Sequence, residues 1–354
     1  MESKPVAVNF SVDLIRFLAI FLIILLHCSG APYRFINPEI TTLDIANWFT
    51  TEAYGVLGMA GVPLFVMLTG ALLLNPAKAD EPLRVFYKKR FGRIALPFIF
   101  WTVVYFAWAF LVHEREFSAF NVAQGLVDGS YAHLWYLYLL IGLYAVTPIF
   151  RILVKHIDRN LFTYLLVIWF VGTVGVPIIH SIPNLRFNPV GFVFLDWIGY
   201  YLLGIYLLKA NVRRSTVNIV AVLGLVGAFI GDWLITGTLG EQYTGYFSNY
   251  MSATIIMGTA ALFFILVNVD PRRIESHAKI NKVIHWVSQN TLAIFMIHMI
   301  VLETFTLGFL GFYVNKLTFI ALVDVLVFTL IIFGVSVALV FVLKKIPYVS
   351  KLIG

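Results

Sequence analysis

Ten stretches of the chain stay apolar over the length an α-helix needs to cross a bilayer: 9–30, 53–75, 94–112, 134–151, 161–180, 192–209, 216–236, 249–269, 287–307 and 317–343. About 20 helical residues cover the roughly 30 Å of hydrocarbon. Within most of them the 3.6-residue rhythm of polar and apolar positions is blurred, as it is when one side of a helix meets lipid and the other meets protein. The pattern predicts an all-α polytopic membrane protein, a bundle of about ten transmembrane helices. The polar stretches between them are short, with no internal repeat and no low-complexity tract. Residues 1–354 therefore read as a single transmembrane domain with no fused soluble domain.

Composition agrees, since 60% of the 354 residues are hydrophobic and only 12% charged, with a mean hydropathy of +0.90. A net charge of +7 would suggest nucleic acid in a soluble chain. In a membrane protein its distribution matters more, because Lys and Arg collect on the cytoplasmic side. With the N-terminus inside, the cytoplasmic segments carry Lys4; Lys78, Arg84, Lys88, Lys89, Arg90 and Arg93; Arg151, Lys155 and Arg159; Lys209, Arg213 and Arg214; Arg272, Arg273, Lys279 and Lys282; and Lys344, Lys345 and Lys351. Only Arg34, Arg115, Arg186 and Lys316 fall outside, and Arg16 lies within a span. This bias predicts both termini in the cytoplasm and excludes nucleic acid as a partner. Cys28 is the one cysteine, so no internal disulfide and no CxxC pattern exists. "HERE" at 113–116 lacks the HExxH spacing of a zinc site, and no metal is implied.

The first span carries unusual residues for its place. Arg16 and His27 bracket ten apolar residues, a core short enough for a signal peptide, and Cys28-Ser29 follows it. The residue before Cys28 is His27, where cleavage needs a small side chain, so the span is expected to be retained. Eleven residues amount to three helical turns plus roughly 20°, and Arg16 and His27 share a face. Asp13 stands three residues before Arg16, a spacing that lets a carboxylate neutralise a guanidinium within one turn. An unpaired charge at a helix centre costs ~2.5–3.5 kcal/mol even on translocon scales, so such residues face the bundle interior or an aqueous cavity. Two readings fit: a structural ion pair with a hydrogen-bonded histidine, or a working site.

"DLIRFLAIFLIILLH" (13–27) resembles the N-terminal signature of the membrane-bound acyltransferase-3 family, an Asp-x-x-Arg followed after ten residues by His. Further matches come in the family's order. "GVPLFVMLTGALLL" (61–74) is similar to its Phe-x-x-x-Ser-Gly pattern with Thr69 at the Ser position, and "KKRFGRIALP" (88–97) to its basic loop into the third helix. "HLWYL" (133–137) is similar to its fourth-helix entry, and "SQNTLAIFMIH" (288–298) to its late Ser…Tyr-x-x-His segment with Phe295 at the Tyr position.

The resemblance implies a multi-pass enzyme of the bacterial cytoplasmic membrane. It would move an acyl group, most often acetyl, from cytoplasmic acyl-CoA to a hydroxyl of a cell-surface polysaccharide or lipid-linked glycan, surrounded by membrane lipids. Without a fused hydrolase-like domain, either this chain completes transfer or a separate extracytoplasmic transferase does so.

Acyl transfer from a thioester to an alcohol needs a base for the hydroxyl proton, donors for the developing oxyanion and a clamp for the CoA phosphates. His27, neutral near pH 7 in its ordinary range, is the expected base. Arg16 is the expected partner of a CoA phosphate or the thioester carbonyl, oriented by Asp13, and an acyl intermediate on His27 is an open alternative. Lys89, Arg90 and Arg93 are the expected CoA-phosphate ligands, since guanidinium suits phosphate bidentately. The positive-inside bias alone also explains Lys89. Ser288, Thr291, Phe295 and His298 follow a 3-4-3 spacing that predicts one stripe; Ser288 and His298 are expected to line the substrate site. His133 and Tyr136, beside Trp135, fall at the outer interface, where aromatic belts are routine, and are candidates for a sugar path. The competing function classes are a secondary transporter or flippase, for which inverted repeats are missing, and a binding or sensory module.

Overall fold

The computed structural model describes residues 5–33, 42–180, 196–239, 247, 249–270, 278–311 and 320–354. Among these residues no strand occurs, and the helices are α1 (Pro5–Tyr33), α2 (Thr42–Met59), α3 (Gly61–Leu73), α4 (Leu83–Leu111), α5 (Ala119–Asp128), α6 (Trp135–His156), α7 (Arg159–His180), α8 (Asp196–Leu208), α9 (Arg214–Leu239), α10 (Ala253–Val267), α11 (Ala278–Gln289), α12 (Thr291–Thr306), α13 (Ala321–Leu343) and α14 (Pro347–Leu352).

Among the described residues, seven stretches are long and apolar enough to cross a membrane: Phe10–Gly30, Ala46–Leu73, Leu83–Leu111, Ala132–His156, Arg159–Val176, Arg214–Gly231 and Ala321–Leu343. The pair α11 and α12 makes an eighth if it is counted as one span, but it bends by 81° at Asn290. The two remaining expected spans correspond to the shorter helices α8 and α10; residues 192–195, read as part of the first of them, lie outside the described residues. The third expected span begins well before its apolar run. Hydropathy marks where a helix meets lipid, whereas Lys and Arg are good helix formers that extend it beyond that edge. The "KKRFGR" segment is thus part of α4 and not a loop.

The helices group into two compact units, residues 1–72 with 158–337, and residues 73–157 with 338–354. In the first unit α1 is the hub, packed against α2, α10, α11 and α12, while α9 packs on α10 and α2, and α8 on α7 and α10. No residue from Phe10 to Gly30 is exposed. Close packing in a membrane rests on van der Waals contact, which small residues make possible. At Gly58 an added Cβ would lie 2.8 Å from the Leu26 backbone, and at Gly61 it would lie 2.8 Å from the Ala19 carbonyl. Gly70 of α3 and Gly204 of α8 meet the backbones of Tyr201 and Met67 in the same way. The outer helices present apolar side chains instead, among them Ile219, Val222, Leu223 and Val226 on α9 and Leu322, Val323, Leu326 and Leu330 on α13. Continuous exposed apolar faces of this kind match lipid, not water.

In the second unit α4 packs on α5, α6 and α14, and the Trp101 indole N–H donates to the Ile353 carbonyl at 3.3 Å. The connection from Leu73 to Pro82 is held by Arg151 of α6, which is 1% exposed. Its Nε donates to the Leu73 carbonyl (2.6 Å) and its Nη1 to the Lys78 carbonyl (3.2 Å) and Glu81 Oε2 (2.9 Å). The guanidinium also lies 4.7 Å from the centre of the Phe86 ring.

Candidate active site

In the first unit the polar residues of α1 gather partners at two levels. At the first, Asp13 is 9% exposed and carries a bond on each carboxylate oxygen. His285 Nδ1–H donates to Oδ2 at 2.7 Å and the Ser288 hydroxyl to Oδ1 at 2.5 Å, both from α11. Such doubly bonded carboxylates are stable where an unpaired one would be costly. Arg16 stands one turn further along α1 at a partly buried position.

At the second level, roughly 21 Å along the helix axis by the rise per residue, His27 meets His298 of α12, with ring centroids 5.3 Å apart. His298 is fully buried. Its Nδ1 lies 2.5 Å from the Phe295 carbonyl, which can only accept, so Nδ1 bears the hydrogen. In the neutral ring the lone pair is then on Nε2, the form able to take a proton from a hydroxyl. Phe295, standing where a tyrosine was expected, lies 5.6 Å from the His298 ring and adds no hydroxyl to this cluster.

The stripe expected to run from Ser288 to His298 is divided. Thr291 donates to the Ser288 carbonyl, Asn290 to the Trp286 carbonyl, and the chain turns at Asn290 between α11 and α12. Ser288 therefore faces Asp13 and His298 faces His27, two levels of α1 and not one lining. His285 was not legible as a partner of Asp13. Its position three residues before Ser288 was the available signal.

The remaining expected residues stand in the second unit. Lys89 is 61% exposed and paired with Glu81 at 2.8 Å, so the carboxylate is shared between Lys89 and the buried Arg151. Hydrogen bonds from Lys89 and then Arg151 hold the Glu81 carboxyl well below its ordinary range, at about 2. The Arg90 guanidinium lies 5.8 Å from the Phe86 ring centre, and its enclosed Nε has no hydrogen-bond acceptor among the described residues. Arg93 is exposed, and the burial of Lys344 together with the charge of Arg93 lowers the Lys344 ammonium from its ordinary value. His133 and Tyr136 are buried. The His133 ring packs against Tyr105 and Tyr131, with centroids 4.8 and 5.8 Å away. Arg151, which the sequence presents only as one more basic residue at the end of a span, makes three hydrogen bonds here from a buried position.

The long apolar helices, the lipid-matched faces and the polar clusters enclosed around α1 define a multi-pass membrane protein with interior polar sites. Its sequence matches the acyltransferase-3 family, described as an acyltransferase domain, over residues 9–345, and the chain belongs to that family. The match runs through both units. No curated protein and no solved structure matches the chain.

Proposed function

We propose that the protein moves an acyl group, acetyl in the first instance, from cytoplasmic acyl-CoA to a hydroxyl of a cell-surface polysaccharide or lipid-linked glycan. Family membership supports acyl transfer in a membrane. The observation that carries the rest is the pairing of His27 with His298 on a helix that has no exposed residue between Phe10 and Gly30. Two histidines in contact inside a membrane bundle are a costly arrangement for packing alone.

In this reading His27 takes the proton of the acceptor hydroxyl as its oxygen attacks the thioester carbonyl. The tetrahedral intermediate then collapses, the C–S bond breaks, and CoA leaves as its thiolate. His298 holds His27 and the attacking oxygen in line. Arg16, on a separate level of α1 from His27, supplies charge to a CoA phosphate; within the second unit, Arg90, Arg93 and Lys89 are the phosphate ligands we propose there. Both termini and the basic end of α4 lie in the cytoplasm, the side where acyl-CoA is made, as the positive-inside bias favours.

The test is release of free CoA from acetyl-CoA by protein in nanodiscs, with a glycan-lipid extract as acceptor. Wild type should release CoA only with the extract, and His27→Ala should lose activity by a factor of about 10²–10⁴, the range of a missing general base. Arg16→Ala should raise the KM for acetyl-CoA. No release by folded wild type with any acyl-CoA and any extract would sink the reading.

A further inference from the structure

We infer that His285 is a positioning residue for donor recognition, acting through Asp13 on Arg16; this rests on the acyl-CoA reading above. Three observations lead to it. Asp13 is buried, and both of its oxygens are engaged from α11, by His285 Nδ1–H and by the Ser288 hydroxyl. Asp13 and Arg16 are one helical turn apart on α1, the spacing at which a carboxylate steers a guanidinium. His285 itself is 63% exposed, so its ring is anchored at Nδ1 while the rest of it reaches solvent.

The proposed relay runs from the exposed His285 on α11 to Asp13 by a hydrogen bond, and from Asp13 to Arg16 by their spacing of one turn on α1. α11 carries Lys279 and Lys282 on exposed positions and buries Ile284, Val287 and Ser288. It meets α12 at 81°. An amphipathic helix set across the direction of its neighbour has the form of one lying along the membrane surface. From there His285 fixes the rotamer of Asp13. Asp13 in turn fixes the direction in which Arg16 presents its N–H groups. A guanidinium held in one direction recognises phosphate bidentately, whereas a swinging one acts only as a point charge.

His285 does not touch the reacting atoms, so its loss should fall on donor binding and not on the chemical step. His285→Ala should raise the KM for acetyl-CoA by about tenfold with kcat changed less than about threefold. His285→Asn should recover most of the affinity, because the Asn side-chain nitrogen stands the same number of bonds from Cα as Nδ1 and can donate to Asp13 in its place. The experiment is steady-state CoA release by wild type, His285→Ala, His285→Asn and Arg16→Ala in nanodiscs, with melting temperatures measured on the same samples.

If Arg16→Ala and His285→Ala shift KM together and the double variant is no worse than Arg16→Ala alone, the two act as one unit. An unchanged KM in His285→Ala while wild type and Arg16→Ala behave as proposed overturns this inference alone. So does a fall in kcat and melting temperature that Asn does not repair, which marks a merely structural contact. Absence of acyl-CoA turnover in wild type overturns the acyl-transfer reading, and this inference with it.

Discussion

At the scale of single residues, the chain uses its few interior charges in bonded sets. Asp13 with His285 and Ser288 is one such set, and Arg151 with Glu81 and two backbone carbonyls is another. The second makes a prediction about pH. The Glu81 carboxyl titrates near 2 when folded, below its ordinary value of 4.5, because Lys89 and Arg151 donate to the ionised form. A lowered pKa contributes stability that is fully present above the unfolded value and is lost as pH falls through the folded one. Glu81→Gln should therefore melt below wild type at pH 5 and higher, and the gap should close as pH drops from 4.5 towards 2. Melting curves of both proteins across that range decide it, and a gap independent of pH would show that the charge of Glu81 is not what matters. Sequence alone disclosed Asp13, Arg16 and His27 because charges stand out in an apolar run. It could not disclose Glu81 or Arg151, since a loop acid and a basic residue at a span end look ordinary until the fold buries them together.

At the scale of elements, legibility followed hydropathy and failed where hydropathy is silent. Where the described residues cover them, the apolar runs fall largely on helices, but the polar start of α4 and the turn at Asn290 left no mark in the pattern. A 3-4-3 spacing presumes an unbroken helix, and the 81° bend separates Ser288 from His298 in spite of it. Close helix contact, by contrast, depends on particular glycines. Gly61 has Ile23 Cγ1 at 2.7 Å from the place a Cβ would take, so Gly61→Val must push α3 off α1 and should cost about 1–3 kcal/mol. Gly92 has nothing within 4 Å, and Gly92→Ala should be neutral or stabilising by up to about 1 kcal/mol from helix propensity. Thermal unfolding of the two variants in the same detergent is the check. Equal melting temperatures would refute the close contact.

At the scale of the whole molecule, the family match spans both compact units, and the expected site residues divide between them: Asp13, Arg16, His27, Ser288 and His298 in one, Lys89, Arg90, Arg93, His133 and Tyr136 in the other. Topology can be tested with little engineering because Cys28, the one cysteine, is buried. In a Cys28→Ser background, Glu114→Cys should react with a membrane-impermeant maleimide in intact cells, and Lys155→Cys only after the membrane is opened. The reverse result would invert the proposed orientation.

The hub position of α1 also has a consequence for biogenesis. The helix α1 is made before its neighbours α10, α11 and α12, which begin roughly 220 residues later. At about 5–20 residues per second of synthesis, it waits on the order of 10–45 s before they exist. During that interval Asp13 lacks His285 and Ser288, and Arg16 and His27 sit in a helix not yet enclosed. The nascent protein therefore needs a polar shelter for α1, from the insertion machinery or from water at the membrane edge, until those three helices have been made.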